Sequence, residues 1–297
     1  MKEGEALVHQ LAVATAVCTL ALVSVGGVVT STGAGLAVPD WPTSFGYGMF
    51  TFPLSKMVGG ILYEHSHRLL GSLVGVLTLA LVAVGWLRDR RPFIRRLTAL
   101  ALLLVVVQGV LGGLRVVWVD VRLAMVHAVV AQIFFGLIVA LAVVTSRGWR
   151  ETRPHEEGND SRLWPFAAGA TAIVFLQLIF GALVRHSQLT VWLHVGGALV
   201  VLAALAAVCA EAMRRHADER ALLVPGQAML LLGLAQLMVG VWAWVLRGDR
   251  LAGAPIGLLE ATVPTIHVAL GALILGAAVA LSLLAWKSQP VPEKVNA

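Results

Sequence analysis

Apolar residues run along this chain in eight long blocks, at about residues 7–30, 62–87, 97–116, 123–146, 164–185, 191–213, 222–246 and 263–286. A helix that crosses the hydrocarbon core of a bilayer needs about 20 mostly apolar residues, and each block reaches that length. The predicted fold is an all-α integral membrane protein of eight transmembrane helices. The first block differs from a signal peptide: its apolar part is long, Lys2 is diluted by Glu3 and Glu5, and no A-x-A cleavage site closes it. It is read as a spanning helix.

Composition agrees with the pattern. Of 297 residues, 59% are hydrophobic and 13% charged, against roughly half and about a quarter in an average soluble domain. The mean hydropathy is +0.86. A soluble globule, a disordered tail and a secreted disulfide scaffold are excluded. Cys18 and Cys209 both lie in apolar runs, so no disulfide or cysteine-type zinc framework is read.

The net charge of +6 suits membrane orientation better than nucleic acid, because of where the charges fall. With the N-terminus inside, the cytoplasmic segments hold 15 of the 22 Lys and Arg residues, from Lys2 through the Arg88–Arg96 and Arg147–Arg162 groups to Lys287 and Lys294. The other side holds Lys56, Arg68, Arg115, Arg122, Arg185, Arg247 and Arg250. Both termini are thus predicted to be cytoplasmic. The inner connections are short and basic; the outer ones at about 31–61 and 247–262 are long and carry Gly and Pro, as functional loops do.

Each even-numbered span carries one histidine near its start: His67, His127, His194 and His267. A small residue follows each by four positions, namely Gly71, Ala131, Ala198 and Gly271. Odd spans share a second pattern: Gln108, Gly112, Arg115; Gln177, Gly181, Arg185; and Gln236, Gly240. The first span ends in Gly26-Gly27 without a Gln. The chain therefore reads as a duplicated four-helix unit: an N-terminal half at 1–150, a linker at 151–163 and a C-terminal half at 164–297. All four histidines fall at one depth, and a small residue at i+4 leaves space on the same face one turn deeper. Two histidines per half is the number that supplies both axial bonds of a haem iron. An interhelical hydrogen-bonding role is the alternative for any single histidine. Zinc is disfavoured by the wide spacing and the lack of nearby Cys.

No role is read for His9, His155 or His216; His186 is placed at the outer surface, and His65 points away from His67, about 200° around the helix. Glu64 and His67 are spaced i,i+3 on one face. A carboxylate there suggests function, as a proton relay or as a stabiliser of positive charge on an oxidised carbon. An interfacial pairing with Arg68 or Lys56 is the alternative. No matching acid precedes the other three histidines, so the halves differ in chemistry. The outer arginines suit haem propionates or lipid headgroups. Trp118, Trp164, Trp192 and Trp286 are placed as interfacial belt residues are.

Four passages resemble the heme A synthase family over essentially the whole chain. They are Gly26-Gly27-Val28-Val29-Thr30-Ser31-Thr32-Gly33-Ala34-Gly35-Leu36 leading into Pro39-Asp40-Trp41-Pro42; Glu64-x-x-His67-Arg68-x-x-Gly71; Gln108 to Arg115 with His127; and Gln177 to Arg185 with His194, completed by His267. The resemblance implies an eight-helix oxidoreductase of the cell inner membrane that oxidises the C8 methyl of heme O to the formyl group of heme A. It implies successive hydroxylations, with water lost from the gem-diol. Heme O as substrate and heme A as product would sit between His67 and His127. Haem b would sit as resident cofactor between His194 and His267, and Glu64 would be the functional acid. It further implies membrane lipid, heme O synthase and terminal oxidase assembly as partners, and is compatible with a homo-oligomer.

One departure stands out. Many members carry a cysteine pair around the first outer loop, where this chain has Val38 and Ser44. A cysteine-free variant is expected, with the loop ordered by Pro39, Pro42, Pro53 and aromatic contacts. A non-catalytic di-haem cytochrome b or a haem transporter would use the same ligands. A prenyltransferase would need clustered aspartates for magnesium diphosphate, which are absent.

Overall fold

The computed structural model describes residues 3–155, 161–186, 188–248 and 256–290. Lys2, Arg250 and Lys294, and much of the last outer loop, lie outside the described residues. The helices are α1 (Glu3–Ser31), α2 (Gly60–Arg88), α3 (Pro92–Val117), α4 (Val121–Thr145), α5 (Arg147–Glu151), α6 (Leu163–Arg185), α7 (Val191–Arg215), α8 (Arg220–Gly248) and α9 (Leu258–Lys287). Among the described residues, all but the short α5 are long and apolar enough to cross a membrane.

Most helices outrun the apolar blocks that predict them, because a helix continues into polar flanks until its backbone groups are capped. Helix α3 begins at Pro92, not near 97; Pro at the first position has its φ set for the helix and no N–H to orphan. Helix α9 begins at Leu258, upstream of Pro264, which membrane helices tolerate in their interior. Helix α5 was not expected: Ser146 ends α4, and its hydroxyl accepts the Trp149 N–H at 3.0 Å to start a further turn.

Each half closes on itself. Helices α1, α2, α3 and α4 pack in sequence order with α1 against α4, and α6, α7, α8 and α9 do the same with α6 against α9. The halves meet through α1 on α9, α4 on α9 and α4 on α6. This puts α4 and α9 at the centre and leaves α2, α3, α7 and α8 at the flanks. Separate cores follow: Val8, Val74, Leu81, Ile94, Ile138 and Leu141 in one half, and Leu163, Ala170, Leu205, Met229, Leu275 and Leu281 in the other. The flanking helices expose apolar side chains such as Val76, Leu79, Leu103, Leu199 and Leu231, a surface suited to hydrocarbon rather than water. All four belt tryptophans are exposed.

The first outer loop folds back onto the helix ends. Phe45 and Gly46 both take positive φ, 52° and 76°, within a tight turn in which Ser44 and Tyr47 exchange backbone hydrogen bonds; two successive positive φ values define a type I′ turn. The Trp41 indole lies against the bare backbone of Gly113 on α3, with no room for a Cβ. A Gly113→Val substitution should displace the indole and destabilise the protein by about 1–3 kcal/mol, read as a lower thermal midpoint of the detergent-solubilised protein. An unchanged midpoint would show that the loop does not depend on this contact.

Candidate functional site

The structure pairs the four histidines within, not between, the halves. His67 on α2 faces His127 on α4 with ring centroids 6.5 Å apart and ring planes inclined at 60°. His194 on α7 faces His267 on α9 at 6.1 Å and 77°. An imidazole nitrogen bonds a transition metal at about 2.0–2.1 Å, and the ring centre lies roughly 1.1 Å behind it, so two rings on opposite sides of one metal have centres about 6.2 Å apart. Both pairs stand close to that separation.

What sets the separation is a glycine on the preceding long helix. A Cβ at Gly26 would come within 3.1 Å of the His67 ring, at Gly112 within 3.2 Å of His127, at Gly181 within 3.1 Å of His194, and at Gly240 within 2.7 Å of His267. A side chain at Gly240 would force the His267 ring to shift, and one at Gly26, Gly112 or Gly181 would crowd the ring it faces. The Gln-to-Gly pattern was visible in the sequence, but its contact with the histidines was not, because it crosses between helices. The small residues four positions after each histidine divide. Gly71 has open space where its Cβ would be, as expected, whereas a Cβ at Gly271 would meet Leu178 at 2.9 Å and Gln236 at 3.3 Å, so that space is filled.

The glutamines of the same pattern reach the histidines, two of them at the ring. The Gln108 amide donates to the His127 carbonyl at 3.1 Å. The Gln177 amide reaches the His194 carbonyl at 2.7 Å and its Nδ1 at 3.0 Å. The Gln236 amide lies 3.3 Å from His267 Nε2. In α1 the matching position is Leu22, so His67 has no such glutamine. His127 Nδ1 and His267 Nδ1 are buried without a hydrogen-bond partner, a costly arrangement unless a ligand or a turned ring completes it. Paired rings at metal-spanning distance, glycine cradles and orphaned ring nitrogens together fit a haem in each half.

Glu64 is buried and fully engaged. One carboxylate oxygen accepts the Val38 N–H at 2.9 Å; the other pairs with Arg68 at 2.9 Å. The Arg68 guanidinium also donates to the carbonyls of Val38 at 2.8 Å, Asp40 at 2.7 Å and Thr43 at 3.0 Å. Next to it His65 is buried, with Nδ1 3.1 Å from Ser44 Oγ and its ring on Phe52. One helical turn thus divides its labour: Glu64, His65 and Arg68 grip the first loop while His67 turns to His127. Of the two expected cationic partners of Glu64, Arg68 is the one used; Lys56 bonds the Tyr47 hydroxyl at 2.9 Å.

A family model described as "Cytochrome oxidase assembly protein" matches residues 9–194. The chain is 24% identical over 258 residues to a heme A synthase of Geobacillus kaustophilus, covering 76% of this chain and 78% of that one. It is 26% identical over 190 residues to one from Alkalihalophilus pseudofirmus, covering 60% and 59%, and 32% identical over 206 residues to one from Beijerinckia indica, covering 57% and 55%. The chain belongs to the cytochrome oxidase assembly protein family.

Within this family, alongside the heme A synthases, the chain is a variant with only two cysteines, both free and neither in the first loop. Val38 and Ser44, at the positions where the resemblance puts other members' cysteine pair, are both fully buried. The loop is fastened there without thiols, by the Val38 backbone on Glu64 and Arg68 and by the Ser44 hydroxyl on His65. The outer arginines also resolve. Arg115 donates to the Gly35 carbonyl at 3.0 Å, and Arg185 to the Gly27 carbonyl at 3.0 Å and Ser31 Oγ at 2.7 Å, so both turn inward, not to lipid headgroups. Arg122 is exposed and pairs with Asp120. His186 is half-buried rather than at the open surface; burial, then the Arg185 and Arg115 charges, push it below the usual histidine range.

Arg68→Ala leaves Glu64 buried without its counter-charge, a loss of about 3–5 kcal/mol, and should expose the first loop to proteolysis; Arg68→Lys keeps the charge but not the fork, and should restore protection only in part. Protection of both variants equal to wild type would show that the loop is held by other contacts. Burial alone would raise the Asp40 carboxyl, but the Gly46 N–H, the Thr43 hydroxyl and the Phe45 N–H hold it at about 2. Because this lies below the ordinary 3.8, its stabilisation is complete above about pH 4 and is lost as pH falls through about 2. Exchange protection of the Phe45 and Gly46 amides should follow that curve in the wild type and be low at all pH values in Asp40→Asn.

Proposed function

We propose that this chain is an oxidoreductase that converts the C8 methyl group of heme O to the formyl group of heme A. Heme O would be held between His67 and His127, and a resident haem b between His194 and His267. The observation that carries this reading is the pair of imidazole couples at haem-spanning separation in a chain of this family. Haem b, when bound, supplies one-electron transfer.

The halves differ where a substrate site and a cofactor site should differ. His194 and His267 each have a glutamine against the ring, as suits a permanent group. His67 has Leu22 instead, open space beside Gly71 and the anchored loop above it, as suits a group that enters, reacts and leaves. Glu64 lies one turn from His67, and its charge, held by Arg68, favours positive charge developing on the oxidised carbon. Arg115 and Arg185, each using one terminal nitrogen on a carbonyl, retain N–H groups for propionates. The Lys and Arg distribution supports an orientation with both termini cytoplasmic; in the cell inner membrane, heme O synthase would supply the substrate and terminal oxidase assembly would take the product.

Co-expression with a heme O supply, followed by pigment extraction and mass measurement, tests the proposal. Wild type should yield heme A. Glu64→Gln, which keeps the side chain's shape, should lower the heme A yield by roughly 10²-fold with haem b retained. His194→Ala or His267→Ala should instead weaken the b-type spectrum. Unmodified heme O in the wild type, or two unchanging haem b groups, would reject the enzyme in favour of a transporter or a di-haem cytochrome.

A further inference from the structure

At the end of the bundle where α1 begins and α9 ends lies a second polar cluster, unconnected with the haem-type pairs. We propose that His155, His216 and Glu219 form a binding site for a first-row divalent transition metal, with Zn²⁺ the best match to the donor set. One atom from each, two imidazole nitrogens and a carboxylate oxygen, lie within 4.8 Å of one another. Glu219 Oε1 is 3.0 Å from His155 Nε2 and 2.7 Å from His216 Nδ1, and Oε2 is 3.1 Å from His155 Nε2. Both rings therefore aim a nitrogen at the same carboxylate, with ring centroids 5.2 Å apart.

Three features separate this cluster from an ordinary surface ion pair. First, the His216 side chain is only 1% exposed, and its other nitrogen, Nε2, is 2.7 Å from Ser161 Oγ. A hydroxyl both donates and accepts. Ser161 can therefore accept from Nε2–H and leave Nδ1 as a bare lone pair, the tautomer that a metal requires, as outer-shell partners of metal-ligating histidines do. Second, the carboxylate pairs with two imidazoles although Arg214, Arg215 and Arg220 are close in sequence; Arg214 is turned to Glu211 at 2.7 Å. Third, the backbone fixes each ligand separately. His155 donates its N–H to the Ser288 carbonyl after α9, His216 donates its own to Ala212 at the end of α7, and Glu219 closes the turn on the His216 carbonyl.

The donor set selects the ion. Two imidazoles exclude Ca²⁺ and Mg²⁺, which take oxygen ligands; two nitrogens and one carboxylate are the protein ligands of open zinc sites, with water in the fourth place. On binding, the protons held between the rings and the carboxylate leave to solvent, and no redox step is involved. The ion would staple the segment between the halves to the α7–α8 turn and, through Ser288, to the end of α9.

The test uses the full-length, haem-loaded protein carrying a tag without histidines, stripped with EDTA and equilibrated with Zn²⁺. Bound metal should be about one zinc per chain with nitrogen and oxygen neighbours at about 2.0–2.1 Å by X-ray absorption. Glu219→Gln and His155→Ala, both on partly exposed side chains, should each lose about tenfold or more in zinc affinity with haem content unchanged. A wild type that retains no zinc, or variants that bind it as tightly as wild type, would overturn the proposal and leave a proton-bridged triad. Neither result bears on the haem sites, whose spectra report separately.

Discussion

The close approach of an imidazole ring to a bare helix backbone is the contact on which the rest of this molecule depends. A histidine in a membrane helix is free to swing among rotamers unless something on the neighbouring helix limits it. Here Gly26, Gly112, Gly181 and Gly240 each bring a backbone to the edge of a ring. Without a Cβ the two helices can stand near enough for the ring to be confined, and confinement of two such rings fixes their separation at 6.5 and 6.1 Å. Lipid supplies no hydrophobic drive between helices, so close packing through small residues is the force available. The same glycines that bring the helices together thus also confine the histidine rings.

Much of this was legible in the chain, and the reason is physical. Apolar length locates all eight spans, because the bilayer demands about 20 residues whatever their identity. The duplicated histidines and the Gln-to-Gly pattern gave the repeat and the pairing by halves. Helix ends were less legible: polar flanks and Pro264 mark where lipid stops, not where hydrogen bonding stops. The partners of Glu64 were legible only as a choice between Arg68 and Lys56, since i,i+4 spacing favours the first but tertiary folding of the loop decides. The grip of Arg68 on three loop carbonyls left no sequence signal at all, because carbonyls belong to every residue. His155, His216 and Glu219 were passed over because their convergence depends on the fold between distant segments.

The first loop shows how one fastening can replace another. A disulfide constrains a loop mainly by limiting its unfolded states. In this chain Val38 and Ser44 are fully buried, and the constraint comes from the folded side instead. A buried ion pair is weak stabilisation when its charges have no other bonds. The Glu64–Arg68 pair has them: one backbone N–H on the carboxylate and three carbonyls on the guanidinium. Those extra bonds turn a costly pair into a specific one, since only one loop path satisfies them all. The arrangement does not depend on the redox state of its surroundings.

The two halves are not positioned independently. Arg185 of α6 reaches the Gly27 carbonyl and the Ser31 hydroxyl near the end of α1, and a Cβ at Gly27 would meet Thr265 of α9 at 3.3 Å. Gly26, which confines His67, is thus flanked by contacts from the other half. Arg185 is four residues past Gly181, which limits His194, and Thr265 is two residues before His267. The elements that hold one histidine pair are therefore the same elements that brace the other. The two four-helix groups pack through α1, α4, α6 and α9 although their surroundings differ, with Leu22 on α1 where the other histidines face a helix carrying a glutamine, and with the Glu64–Arg68 pair fastening the first loop. A guanidinium held by a backbone carbonyl and a hydroxyl thus ties the placement of one histidine pair to that of the other.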